Sequence, residues 1–512
     1  MNGILLDTLL EGHDQNTVVM STPAVQFTAG DLLSMADNLE QVLREQSVSL
    51  VALYADNGPA WVVADLVCQR LDICLVPLPT FFSPLQIRAT LARCNAGWLL
   101  TDNADALNAL VASRQSPEDG KAVLELCRLN CDNGNIPAMP EGTGKITFTS
   151  GSTGDAKGVC LSHAQLMQQA RALREAVGLD NPRHLCLLPL STLLENVAGV
   201  YAPMLAGGEV IVPSLRELGY EGSRLANPQQ LLNTISKIAP ETMILIPELL
   251  KLLLASVHSG WQPPQSLRFL AVGGSKVGTA LLQEAESLGL PVFEGYGLSE
   301  CASVVSLNTP NDNQPGSCGK LLPHLSVENR DGELVVSGNA MLGYLNQPEG
   351  WYQQAIHTGD LGHCDSNGFL YLSGRRKNLL ISSYGRNISP EWPESELLAN
   401  PLLQDVVIFG DAMPYCVALI STRDPRLDDA AIQAWLDQVN ARLPDYAQVR
   451  AWHRLTQPLA ALPGLLTSNG RPKRDVIAQK FAGELAALYR KTNSSTPASR
   501  VTDAMQEKEL RL

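Results

Sequence analysis

The chain has 512 residues, of which 45% are hydrophobic and 18% charged, and it carries a formal net charge of -14. That length exceeds what one hydrophobic core usually supports, so at least two domains are expected. The acidic balance excludes a general attraction to nucleic acid or to an anionic membrane surface, and any anionic substrate must be held by local donors.

The opening stretch "MNGILLDTLLEGHDQ" lacks the basic and long apolar regions of a signal peptide. The most apolar internal run, "MILIPELLKLLLASV", is interrupted by Pro247, Glu248 and Lys251. Both features predict a soluble cytoplasmic protein without a transmembrane segment. The eleven cysteines are scattered. Cys127 and Cys131 have no second pair at zinc-ligand spacing, so free thiols are expected.

From about residue 50 to residue 300, short β-rich runs ("LVALYA", "CLVPL", "LCLLPL", "EVIV", "MILI", "LRFLAV", "LPVFEGYG") alternate with amphipathic stretches. That alternation predicts an α/β fold with layered, largely parallel sheets. From Ser326 the texture changes to "VENRDGELVVSG" and "DSNGFLYLSG", in which Asp-Gly and Asn-Gly predict hairpins of a β subdomain. Beyond "SGRRKNLLISSYGRNISPEW" come "LQDVVIFGD" and "CVALIST" as strands and "DAAIQAWLDQVNARL" as an amphipathic helix. The reading is therefore a large domain over 1–376, a small mobile α+β domain over 377–492 and a flexible tail over 493–512.

The strongest local feature is "ITFTSGSTGDAKGVCLSHAQLMQQA", residues 146 to 170. A β-type run leads into a loop with Gly151, Gly154 and Gly158, hydroxyls at Thr147, Thr149, Ser150, Ser152 and Thr153, and one cation, Lys157. Ser162 and Gln165 then form a capping-box signature for a helix. Glycines let backbone N–H groups turn toward a polyphosphate, hydroxyls add donors, and the lysine supplies a mobile charge. The order differs from a Walker A loop, where Gly-Lys-Ser/Thr opens the helix directly. A phosphotransferase is further disfavoured by the lack of a kinase-type catalytic loop.

"FTSGSTGDAKGV" resembles the phosphate-binding signature of the adenylate-forming superfamily, which includes the long-chain fatty acid acyl-CoA synthetases, with Ala156 where proline is usual. Other landmarks follow in family order. "FEGYGLSE" is similar to the second nucleotide motif, which implies Tyr296 and Gly297 against adenine, Ser299 (usually threonine) on the α-phosphate and Glu300 holding Mg2+. "LRFLAVGGSKV" implies that Gly273, Gly274 and Ser275 line the adenine and acyl pocket. "HTGDLG" and "LSGRRKN" imply Asp360 and Arg375 on the ribose hydroxyls, Lys377 as the hinge, and Gly385 in the thioester-forming face. The same resemblance implies ATP, Mg2+ and coenzyme A, or the phosphopantetheine of an acyl carrier protein, with a small carboxylic acid as substrate.

The substrate features are less complete. "LPLSTLLENVAGVY" resembles the fatty-acid-ligase segment, with Thr192 where histidine commonly stands. There is no Phe-Asp pair to anchor an α-amino group, so amino acids are disfavoured. An aliphatic acid, or else an aryl acid, is expected. The last motif falls on "TSNGRPKR", where Arg471 stands in the lysine position and Lys473 follows two places on. Either could be the adenylation cation, with Arg471 favoured by register. These substitutions also leave open a nucleotide-binding homologue with little turnover.

Overall fold

Short apolar runs in the first half, buried almost without a break, become strands of two large sheets. The computed structural model describes residues 6–8, 13–107, 110–115, 124–130, 137–149, 157–222, 224–383, 386–467 and 470–493. The chain separates into two units, Met1–Leu372 and Ser373–Leu512.

In the first unit, one sheet has the order Lys320–Leu321, Ser303–Leu307, Val292–Leu298, Phe269–Val272, Thr242–Leu245, Arg183–Leu185, Glu209–Ile211, Val18–Ser21, Gln26–Thr28. Pairing is parallel from Val292–Leu298 through to Val18–Ser21, and antiparallel at both margins. Thr242–Leu245 is buried along its whole length, as a central parallel strand covered on both faces should be. "LCLLPL" contributes only Leu185 to a strand, and after it the chain leaves the sheet toward a π-helix at Leu194–Tyr201.

The second sheet has the order Gly343–Tyr344, Lys157–Leu161, Lys145–Thr149, Cys74–Pro77, Leu50–Tyr54, Trp98–Thr101, Glu125–Leu129, Val111–Gln115. The helix Pro59–Arg70 buries nine successive residues from Trp61 to Gln69, so it is a core helix rather than an amphipathic surface one. A third, four-stranded sheet holds the two expected hairpins. Ser326–Arg330 pairs antiparallel with Glu333–Ser337 through Asp331 (φ 51°) and Gly332 (φ 83°), the two positive φ values of a type I′ turn.

In the second unit, Leu403–Phe409 runs antiparallel to Cys416–Thr422, which runs parallel to Val449–Arg454. Strand alternation divides its core in two: Val406 and Ile408 pack with the helix Asp429–Asn440, and Val407 and Phe409 with Ile477, Leu485 and Leu488. Helices Glu391–Leu398, Arg474–Lys480 and Ala482–Asn493 complete the α+β layer. Among the described residues no helix is long and apolar enough to cross a membrane, and ten cysteines are free thiols.

Candidate adenylate-forming site

Strands Lys145–Thr149 and Lys157–Leu161 pair antiparallel, which sets Thr149 opposite Lys157 at the mouth of the hairpin. Ser150, Gly151, Ser152, Thr153 and Gly154 lie outside the described residues. Beyond the hairpin, the capping box forms as its residues require: Ser162 N–H donates to Gln165 Oε1 at 2.9 Å, and Gln165 N–H donates to Ser162 Oγ at 3.2 Å. The strand Lys157–Leu161 thus ends where the helix His163–Val177 begins.

The segment Val292–Leu298 carries the next group. Tyr296 is 9% exposed, and its hydroxyl donates to Asp360 Oδ2 at 2.6 Å. Asp360 N–H is itself tied to Thr358 Oγ1 at 3.0 Å. The two residues come from different sheets, 64 positions apart, so the structure joins two of the sequence-derived candidates directly. Gly297 sits at the register shift between this strand and Ser303–Leu307, and a Cβ there would lie 1.8 Å from Ser303 O. No side chain fits that approach.

Ser299 and Glu300 occupy the short 3-10 turn that follows, both half-buried. Glu300 Oε1 accepts a hydrogen bond of 2.8 Å from Tyr344 Oη, and the Lys157 ammonium lies 4.7 Å from the centre of the same Tyr344 ring. Gly273 donates to Leu245 O at 3.1 Å at the end of its strand, while Gly274 and Ser275 are exposed beyond it. These groups gather at the carboxyl ends of parallel strands, where open α/β sheets bind ligands. Beneath them Glu294 is 6% exposed. Burial pushes its carboxyl up to about 8, against the Val277 N–H at 3.4 Å and the Lys276 charge.

The remaining candidates belong to the second unit. Arg375 ends the strand Leu370–Arg375, and Lys377 lies in the following 3-10 turn; both are exposed. A Cβ at Gly374 would fall 1.6 Å from Ser389 Oγ, so the chain passes very close to Ser389 just before that turn. Gly385 lies outside the described residues, as does Asn469.

The basic run divides by role. Thr467 N–H donates to Arg471 O at 2.8 Å, and Arg471 N–H donates to Thr467 Oγ1 at 3.1 Å, closing a tight loop that carries Arg471 at an exposed position. Lys473 is half-buried, with its N–H on Leu465 O at 2.8 Å. Arg474 is an anchor: its guanidinium makes a fork to Glu394, Nη1 to Oε1 at 2.8 Å and Nη2 to Oε2 at 3.2 Å, and also donates to Ile408 O.

Two buried networks escaped the sequence reading. Lys145, 1% exposed, pairs with Asp65 at 2.6 Å, and both also bond Asn196 and Tyr201. Glu195, just before Asn196 in the π-helix, meets His184 Nε2 at 3.1 Å and accepts Leu188 N–H at 3.1 Å. His184 Nδ1 meets Thr242 Oγ1 at 2.8 Å. His184, Cys186 and Glu195 bring their ligand atoms within 4.8 Å. The histidine and carboxylate are already satisfied by protein partners, and burial with the Glu195 charge pushes the Cys186 thiol up, so the trio is a hydrogen-bonded core feature. The available signal was Asp65, a lone charge inside the apolar run "WVVADLVC", which demands a buried partner.

Residues 8–345 match the family described as AMP-binding enzyme, and residues 377–493 match the AMP-binding enzyme C-terminal domain. The chain is 29% identical to a long-chain-fatty-acid–CoA ligase, FadD15, of Mycobacterium bovis, over 87% of this chain and 89% of that protein. It is 27% identical to the 2-succinylbenzoate–CoA ligase of Bacillus subtilis, over 75% of this chain and 80% of that protein. Its fold matches the crystal structure of the anthranilate CoA ligase AuaEII in complex with anthranoyl-AMP, with a TM-score of 0.78 at 19% identity, over 94% of this chain and 98% of that one.

Proposed function

We propose, from the premise that the chain belongs to the AMP-binding enzyme family, that it activates a fatty acid with ATP and passes the acyl group to coenzyme A. The coarser statement stands without the chain length: this is an acid–thiol ligase of the AMP-forming kind, working through an acyl-adenylate. The observation that supports it best is the meeting of Tyr296 with Asp360 and of Lys157 with Glu300, through Tyr344, at the ends of strands from separate sheets.

In the first step a carboxylate oxygen attacks the α-phosphorus of ATP, and the bond from that phosphorus to the bridging oxygen breaks to release pyrophosphate. Both reactants are anionic, so the residues must supply positive charge and fixed donors. Thr149, the loop Ser150–Gly154 and Lys157 take the polyphosphate. Tyr296 packs on adenine while its hydroxyl orients Asp360 toward the ribose hydroxyls, with Arg375 as the second ribose contact. Gly273, Gly274 and Ser275 border the adenine and acyl group, and Ser299 donates to the α-phosphate. Glu300 offers a half-exposed hard oxygen donor, which suits Mg2+, an ion that keeps water and phosphate oxygens for its other positions. Bound there, it would screen the phosphate charge as the carboxylate approaches.

Arg471 is assigned the cation that stabilises charge gathering on the α-phosphate; its exposed loop position suits that task, and Lys473, half-buried, is the alternative. In the second step the thiol sulfur attacks the acyl carbon, the bond to the adenylate oxygen breaks, AMP leaves and the thiol proton passes to solvent. Lys377 is assigned the hinge between the steps and Gly385 the backbone that the pantetheine arm passes.

A fatty acid is preferred because of the apolar 188–201 segment and the long-chain relative. An aryl acid is the second reading, supported by the 2-succinylbenzoate and anthranilate ligases. Pyrophosphate release measured with saturated fatty acids of graded length and with aryl acids, with and without coenzyme A, tests this. Fatty acids should give the higher kcat/KM, and coenzyme A should convert adenylate to thioester and AMP. Faster aryl acids would replace the substrate; adenylate accumulating despite coenzyme A would move the acceptor to a carrier protein. No release with any acid would leave a nucleotide-binding homologue.

A further inference from the structure

Tyr344 stands outside every motif used above, yet it touches two of the residues that those motifs nominate. Its hydroxyl donates to Glu300 Oε1 at 2.8 Å, and the Lys157 ammonium sits 4.7 Å from its ring centre, a cation–π distance. The three residues come from separate segments, so this contact is made only by the fold.

The ring is not free to drift. Tyr344 pairs with Val159 as an added edge strand beside Lys157–Leu161. Its carbonyl accepts the Trp351 indole N–H at 2.8 Å, and the next residue, Leu345, donates to Gly158 O at 2.8 Å. On the other side, Met341 N–H donates to Glu300 O at 2.8 Å. The phenol therefore moves with the strand that carries Lys157 and with the turn that carries Glu300.

We propose that Tyr344 is a positioning residue for adenylation: its hydroxyl fixes the orientation of the Glu300 carboxylate toward the magnesium ion, and its ring holds the Lys157 ammonium in register for the polyphosphate. This rests on the reading of Glu300 as the metal carboxylate and Lys157 as the phosphate cation. Partners that orient a metal ligand commonly change metal affinity by about ten- to a hundredfold. A flat ring under an ammonium restrains a side chain that would otherwise sample many rotamers.

Binding of Mg2+-ATP by calorimetry without any acid, and of Mn2+-ATP by electron paramagnetic resonance, gives a readout independent of turnover. Tyr344→Phe removes only the hydroxyl, and should raise the metal concentration for half-saturation about tenfold, with the melting temperature and the ATP affinity at saturating metal unchanged. Mn2+, which binds oxygen ligands more tightly than Mg2+, should recover most of that loss. Tyr344→Leu removes the ring as well, and should add a weakening of ATP binding that excess metal does not restore. Glu300→Gln separates the two levels of the argument. If it abolishes the metal dependence while Tyr344→Phe leaves it at the wild-type value, the proposal for Tyr344 is wrong and the site reading survives. If Glu300→Gln itself changes nothing, the reading and the proposal fall together.

Discussion

Replacing Arg474 by methionine should destabilise the C-terminal unit far more than a surface arginine would allow. Arg474 and Glu394 are 15% and 12% exposed at the side chain, so solvent screens their attraction little. Burial pushes the Glu394 carboxyl upward, and Arg474 is the strongest influence holding it down. Without the guanidinium, Glu394 keeps the Ile408 N–H at 2.7 Å, and it must ionise in a dry site or bind a proton. Breaking one side of a buried pair costs about 3–5 kcal/mol. A carboxyl whose folded pKa lies above its unfolded value favours the folded state below the unfolded pKa and loses that contribution as pH rises through the folded one. Arg474→Met should thus be least harmful in acid. Adding Glu394→Gln removes the buried charge while keeping an acceptor for Ile408, and should recover most of the loss, short of about 1 kcal/mol for the Ile408 carbonyl that Arg474 also served. Because the chain has two units, amide exchange at Val407 and Ile408 is the better assay than a single global melt. Wild-type protection of Ile408 in Arg474→Met, or a double variant as unstable as the sum of the singles, would refute the buried-pair argument.

Arg471→Ala should lower adenylation about a hundredfold or more while leaving amide exchange in the unit unchanged, since Arg471 is exposed and Arg474 carries the anchoring; Lys473→Ala should cost much less. Pyrophosphate release with each variant decides, and the opposite ranking would transfer the role to Lys473. Glu294, with its carboxyl near 8 against an ordinary 4.5, binds more protons folded than unfolded across that interval. Thermal stability of the first unit should therefore fall as pH rises from about 5 to 8, and Glu294→Gln should flatten the profile; an unchanged slope would show that Glu294 is already ionised in the fold.

The parts of the fold that were legible in sequence are those in which local pattern and tertiary burial agree. "LVALYA" and "MILI" are apolar because they lie in buried strands, and Asp331-Gly332 forms its hairpin because both positions accept positive φ. The π-helix at Leu194–Tyr201 was not legible, since "LLENVAGVY" carries adjacent polar residues, Glu195 and Asn196, that look like a solvent face. Both are fully buried because they point into different networks, one to His184 and one to Lys145 and Asp65. Pairings across 51 and 131 positions leave no mark in a local window. The site shows the same division. Tyr296 and Asp360 could be nominated separately by motif, but their contact, and the entry of Tyr344 between Lys157 and Glu300, needed three sheets to be assembled first.

That distinction explains why departures from the family pattern differ in weight. Ser299 keeps the hydroxyl of the usual threonine, so the donor survives and only a methyl is lost. Thr192 cannot replace an imidazole, and its hydroxyl is engaged elsewhere: it donates to Pro189 O at 2.7 Å, while its carbonyl accepts Asn196 N–H at 3.1 Å. The residue thereby stabilises the turn into the π-helix, whose Glu195 and Asn196 tie it to both buried networks. On the proposed assignment Arg471 is the departure with direct chemical weight, because the cation offered to the α-phosphate is then a longer, planar one, carried between the Thr467 hydrogen bond and the Arg474 anchor. Activity should then depend on that anchor even though the Arg474 guanidinium is spent on Glu394 and the Ile408 carbonyl. The variant Arg474→Met should lose kcat with little change in KM for ATP, whereas loss of Lys157 should raise KM.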